Sequence, residues 1–104
     1  MGKETGMASG AYKEIELIER HIKMLHVTKK NQPVGIIRLS EILDLPRHKV
    51  RYSLRVLEND GAIIATPDGA MVSEKYDVFM KEMSDYLTKL VDRIEEVRSQ
   101  IPGT

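Results

Sequence analysis

From Tyr76 to Ile101 the apolar residues fall at Tyr76, Met80, Met83, Leu87, Leu90, Ile94, Val97 and Ile101, separated alternately by four and three positions. That alternation holds an apolar seam on one side of an α-helix, and it predicts a helix from about Glu74 to Gln100. At about 1.5 Å per residue the helix is roughly 40 Å long. A core built from the rest of a 104-residue chain is too small to cover that length. A single amphipathic helix ordinarily packs on its own domain, but here part of the seam is expected to meet another chain. Phe79, Tyr86 and Val91 lie beside the seam and widen the apolar contact. A strict alternation of this kind suits a pair of helices, so a homodimer is expected. Parallel pairing would bring Arg93 toward the partner's Arg98, which favours an antiparallel pair.

The segment before this helix reads as a series of short elements. Ile15, Ile18, Ile22 and Leu25, with Leu17 and Met24 widening the stripe, predict a first helix from Ala11 to about Lys30. Asn31, Gln32 and Pro33 break it, leaving Val34 for a very short strand. Ile36 to Leu43 predicts a helix of about two turns with Leu39, Ile42 and Leu43 buried. The Asp44-Leu45-Pro46 sequence ends it, and Pro46 suits the first turn of a new helix. That third helix runs from Pro46 to Asn59, with Val50, Ser53, Leu54 and Leu57 on its core face and Gly61 beyond it as a left-handed stop. Ile63 to Thr66 and Ala70 to Ser73 then flank Asp68-Gly69, a hairpin turn signal. The expected fold class is mainly α with a small β-hairpin. Residues 1–10 read as a disordered leader, 11–73 as one domain and 74–104 as the long dimerisation helix.

Composition narrows the function classes. No apolar run approaches the roughly 18 residues of a membrane helix, and the polar start MGKETGMASG is no signal peptide. The absence of cysteine removes disulfides and thiol chemistry; a cytoplasmic protein is expected. There is no glycine-rich phosphate loop and no nucleophile motif, so no catalytic role and no cofactor are expected. His21 and His26 are five positions apart with no ligand set beside them, which argues against a metal site. Met80 and Met83 read as gap-filling seam residues.

Sixteen basic and sixteen acidic side chains cancel to zero net charge, so any polyanion site must be local. One stretch is locally basic: LPRHKVRYSLRV. At about 100° per residue, with Arg47 at zero, Arg51 lies near 40°, Arg55 near 80°, His48 near 100° and Tyr52 near 140°. Val50, Ser53, Leu54 and Leu57 lie opposite. A solvated face is the ordinary explanation for helix charge, and Arg55 is spaced to pair with Glu58. Yet Arg47 with Arg51, and Arg51 with Arg55, are like charges four apart, each costing a few tenths of a kcal/mol. These cations also crowd the N-terminal half of the helix, where the backbone dipole disfavours them and attracts anions. An external polyanion accounts for both.

The short apolar helix Leu39 to Leu43, the Leu45-Pro46 turn, then Val50, Leu54 and Leu57 ahead of ENDGAI and a hairpin together resemble the winged helix-turn-helix family of DNA-binding domains. The resemblance covers roughly Ile15 to Ser73. With the long last helix, the chain also looks like small archaeal or bacterial transcriptional regulators whose terminal helix joins two such domains. The resemblance implies that the third helix, Pro46 to Asn59, enters the major groove of double-stranded DNA and that the hairpin, or wing, touches the neighbouring backbone or minor groove. Arg47, His48, Arg51 and Tyr52 are then candidates for base contact, since the N-terminal half of a recognition helix goes deepest. Lys49 and Arg55 fit phosphate, and Arg38, with Lys29 or Lys30, extends the track. One departure is evident: the wing tip Thr66-Pro67-Asp68-Gly69 carries an acid and no Lys or Arg. The expected function is sequence-specific DNA binding by a homodimeric regulator. The alternative is a winged-helix module that binds protein without DNA.

Overall fold

The structure, a computed structural model, describes residues 9–103. Residues 1–8, most of the expected leader, lie outside the described residues. The elements follow in the order α1 (Ser9–Asn31), α2 (Ile36–Leu43), α3 (Arg47–Asn59), β1 (Ile63–Thr66), β2 (Gly69–Val72) and α4 (Tyr76–Ser99). The fold is thus mainly α with one small antiparallel hairpin, as the residue pattern implies.

Helix α1 starts two residues before the expected Ala11 and ends with Lys29 and Lys30 in its last turn, where cations complement the backbone dipole. Asn31 Nδ2 donates to the Val27 carbonyl at 2.9 Å, satisfying a helix-end acceptor. A cis Gln32–Pro33 peptide follows. The Gln32 Oε1 accepts from Val72 N at 2.8 Å, tying this turn to the hairpin. Where a very short strand is expected, Val34 makes a single-residue antiparallel bridge: its N–H donates to Ala70 O at 3.0 Å and its carbonyl accepts from Ala70 N at 2.7 Å.

That bridge explains a glycine whose role differs from the expected one. Thr66 pairs with Gly69, so the hairpin loop is Pro67-Asp68 and β2 begins at Gly69, not at Ala70 after an Asp68-Gly69 turn. A Cβ on Gly69 would sit 2.8 Å from the Val34 backbone, and its φ of 133° is open only to glycine. Gly69 is therefore required by close backbone approach. The turn is closed instead by Thr66, whose Oγ1 donates to Gly69 O at 2.6 Å and accepts from Asp68 N at 3.2 Å.

The core gathers Met24 and Leu25 of α1, Val34, Leu39 of α2, Val50 and Leu57 of α3, and Ala62, Ile63 and Ala70 around the hairpin. Three expectations shift here, the first being that Leu43 is only half-buried. Ile42 is exposed, because Leu39, Leu43 and Ile36 share the core-facing side of a two-turn helix and Ile42 lies at its edge. Leu54 is only half-buried, beside the fully enclosed Val50 and Ser53. Gly61, at φ 80°, ends α3 as expected, and the chain turns back through Ala62 N donating to Leu57 O at 2.9 Å.

No residue of α4 is buried. Tyr76, Phe79 and Met80 pack against the core, and Lys29 Nζ rides 4.3 Å from the centre of the Tyr76 ring. Met83, Leu87 and Leu90 are half-buried, whereas Ile94, Val97 and Ile101 are exposed. The helix runs from Tyr76 to Ser99, within two residues of the expected Glu74 to Gln100, and Ile101 lies just past its end. The radius of gyration is 16.5 Å, against the ~13 Å of a compact chain of similar length. The outer half of α4 projects from the domain. No helix among the described residues is long and apolar enough to cross a membrane.

His21 lines a cleft between α1, the end of α3 and α4, together with Asp60, Phe79 and Met80. Burial first, then the Arg20 charge, pulls its imidazole below the usual value of 6.5, with Asp60 opposing. The unfolded chain therefore binds more protons as pH falls through about 6.5. Stability is held above that pH and is lost as pH drops toward the folded value. The melting temperature is expected to fall between pH 7.5 and pH 5, and His21→Gln to flatten that fall. Equal slopes for both proteins would rule out His21 as the source.

Candidate nucleic-acid interface

The junction of α2 and α3 is built from local chemistry. Asp44 takes the left-handed conformation, φ 53° and ψ 50°, and caps α2. Asp tolerates that conformation better than most residues because its short side chain can bond locally. Ser40 then grips Leu45 from both sides: its hydroxyl donates to the Leu45 carbonyl, and its own carbonyl accepts from Leu45 N at 3.1 Å. Pro46 is the N-cap of α3 (φ −60°, ψ 146°), one position before the first helical turn that was expected to hold it. Its carbonyl accepts from Lys49 N at 3.1 Å and from Val50 N at 3.2 Å. On the other side of this turn, Arg20 of α1 donates to the Lys49 carbonyl at 3.4 Å.

Helix α3 divides cleanly. Val50, Ser53 and Leu57 are buried, while Arg47, His48, Lys49, Arg51, Tyr52 and Arg55 are all exposed. Its first turn carries no acid and its N-cap makes no side-chain hydrogen bond, so the N–H groups of Arg47 and His48 face outward beside cationic side chains. Among the described residues, the ion pairs are Lys23–Glu19 on α1 and Lys81–Asp85, Arg93–Glu96 and Arg98–Glu95 on α4. Those helices interleave their charges; α3 does not. Arg55 leaves Glu58 unpaired with it, although the spacing permits the bond.

The hairpin adjoins this face. Arg51, Leu54 and Arg55 of α3 line a groove of about 220 Å³ with Ile36, Ile63 and Ala65. The hairpin itself offers no cation, since no Lys or Arg occurs from Ala62 to Glu74, and its tip residues Pro67 and Asp68 are exposed. Of the flanking candidates, Arg38 is exposed on α2 and Lys30 at the end of α1. Lys29 is turned to the Tyr76 ring of α4.

Two positioning residues escape a reading of the sequence. Ser40 sits in the last turn of α2, where serine is usually a neutral surface choice; only the following Asp-Leu-Pro hints at its role. Arg20 reaches Lys49 across 29 positions, and no local pattern marks it.

No protein-family model and no curated protein sequence matches the chain. Among solved structures it is similar to one described as the activation domain of the phage T4 transcription factor MotA. The two share 17% identity and a TM-score of 0.56, over 73% of this chain and 82% of that one. At that identity the likeness shows the fold alone. The neighbour is a domain of a transcription factor.

From Arg47 to Arg55 the exposed groups on α3 are donors and cations, guanidinium forks, an ammonium, an imidazole and a phenol, with the acid Glu58 exposed only at the far end of the helix. They suit the binding of anions, with Arg able to take a guanine edge through two parallel hydrogen bonds.

Proposed function

We propose that the chain is a winged helix-turn-helix transcriptional regulator that binds double-stranded DNA sequence-specifically as a homodimer. Residues 11–73 form the DNA-binding unit and 74–104 the dimerisation segment, built on α4. Helix α3 enters the major groove, with Arg47, His48, Arg51 and Tyr52 toward the bases and Lys49, Arg55 and Arg38 toward phosphates. The observation that carries this reading is the exposed face of α3, whose arginines stand four apart without acid partners and leave the opposite face to the core. Such a face is mildly unfavourable alone and favourable against a polyanion. The neighbouring transcription-factor domain is consistent with a role of this kind.

A second reading has its own support. The hairpin is acidic at its tip, and the structural neighbour is described as an activation domain. Both suit a module that binds protein instead of DNA. Selection of bound sequences from random duplex DNA at moderate salt separates the two. A shared motif is expected to emerge within a few rounds, with affinity falling steeply as salt rises, because each neutralised phosphate releases counterion. A pool that stays random would refute DNA recognition and leave the protein-binding reading.

A further inference from the structure

Resting on the homodimer reading above, we propose that two copies pair through α4 in one antiparallel register, with Leu87 against the partner's Leu90. In this arrangement the α4 of each copy fills a groove that the other leaves open between its α1 and α4.

Among the described residues, the groove is left open. Tyr12, Ile15, Ile18 and Ile22 of α1 face Leu87 of α4 across an opening of about 460 Å³. Ile22 also lines the next cleft, about 310 Å³, with Leu25, Phe79, Met80 and Met83. The two clefts share Ile22 and follow α1 and α4; their lining is mainly apolar, with Glu16, Glu19 and Lys23 in the first and His21, Asp60 and Glu82 in the second. Tyr12 is 49% exposed, Ile15 42% and Tyr86 50%, and farther along α4 Ile94 is 57% exposed. Contiguous apolar surface of this extent is uncommon on a protein that works as a monomer. The clefts are open among the described residues, and the outer half of α4 carries an exposed apolar stripe, Ile94 and Val97, that no described residue covers.

The order of residues along α4 selects how the two meet. Antiparallel helices set each seam residue that is followed by a gap of three against one that is followed by a gap of four. With Leu87 opposite the partner's Leu90, Met83 meets the partner's Ile94 and Met80 the partner's Val97. Tyr76 then comes level with the partner's Ile101, just past the end of that helix, so every seam residue from Met80 to Val97 has a helical counterpart. Sliding by a heptad in either direction would strand the layers at the ends. The flanking positions agree with the same register. Asp77 comes beside the partner's Arg98, an attraction of opposite charges. Tyr86 comes beside the partner's Arg93, a cation over an aromatic face. Parallel pairing instead brings Arg93 toward the partner's Arg98. The half of α4 that rests on its own domain thus receives the half that projects from the other.

The chain contains no cysteine, so introduced thiols report neighbours without background. Met83→Cys and Ile94→Cys proteins, each alone and mixed after subunit exchange, are oxidised gently at micromolar concentration. The mixture is expected to yield the crossed disulfide at least tenfold more efficiently than either variant alone. Identical positions on the two copies lie about 16 Å apart along the axis, well beyond disulfide reach. Efficient crosslinking of Ile94→Cys with itself would overturn the register and leave the homodimer standing. Failure of every combination, in proteins that sediment as dimers, would overturn it equally. A wild-type monomer would defeat the homodimer reading as well. Ile15→Glu tests the groove with α4 intact: at least a tenfold rise in the dissociation constant is expected, with helix content unchanged at concentrations that saturate the dimer. An unaltered constant would remove α1 from the interface.

Discussion

Arg51→Ala is expected to weaken binding to a single half-site by about 5- to 150-fold, the range for loss of a fork bonded to a base edge, about 1–3 kcal/mol, and to weaken a two-half-site duplex further. It should also relax preference at one position of the site. Arg51→Lys keeps the charge but not the planar fork, and should recover part of the affinity without the preference. Arg47→Ala combined with Arg51→Ala is expected to cost at least about a hundredfold, since both are assigned to base contact. Lys49→Ala should weaken all sequences alike and lower the salt slope by about one per subunit. The fold should not suffer. Arg47 and Arg51 are exposed and stand in no ion pair among the described residues. Removing one member of a like-charged pair four apart relieves a few tenths of a kcal/mol, so the melting temperature should hold or rise slightly. Binding lost with stability retained is the signature of a surface kept for a ligand. Wild-type affinity in the double variant would sink the assignment of this face.

How far the residues alone predict such a face depends on how local its causes are. Helix α3 was legible because its periodicity, its proline before the first turn and Gly61 after the last are all features of adjacent residues. The exposure of Arg47, Arg51 and Arg55 followed from the opposite side being apolar. What was not legible depends on distant contacts. Gly69 reads as a turn glycine beside Asp68, yet its cause is the Val34 backbone arriving from far upstream. Arg20 carries no sign of its bond to Lys49, and Arg55 with Glu58 has the spacing of an ion pair that does not form. The seam of α4 shows the same limit. Its pattern fixes which side of the helix is apolar, but not that Tyr76 and Met80 rest on the core while Ile94 and Val97 project beyond it.

Leu87→Asp together with Leu90→Asp is expected to leave a monomer at concentrations where the wild-type chain sediments as a dimer. Two carboxylates per helix would face each other at the centre of an apolar seam, where desolvation has no compensating partner. The cost to the isolated domain should be small, because Leu87 and Leu90 are only half-buried and the core lies elsewhere. The outer half of α4, without its partner, is too short to persist as a helix in water, and helix content should fall accordingly. The consequence for DNA is separable from that of Arg51→Ala. A dimer presents two α3 helices to half-sites about 34 Å apart, and tethering them makes the second contact effectively intramolecular, worth about 10²- to 10⁴-fold. The seam variant should therefore lose about that factor on a two-half-site duplex while keeping wild-type affinity for a single half-site. Arg51→Ala should do the reverse, weakening the single half-site while still sedimenting as a dimer. If the seam variant sedimented and bound like the wild type, α4 would be an extension of the domain with no part in assembly.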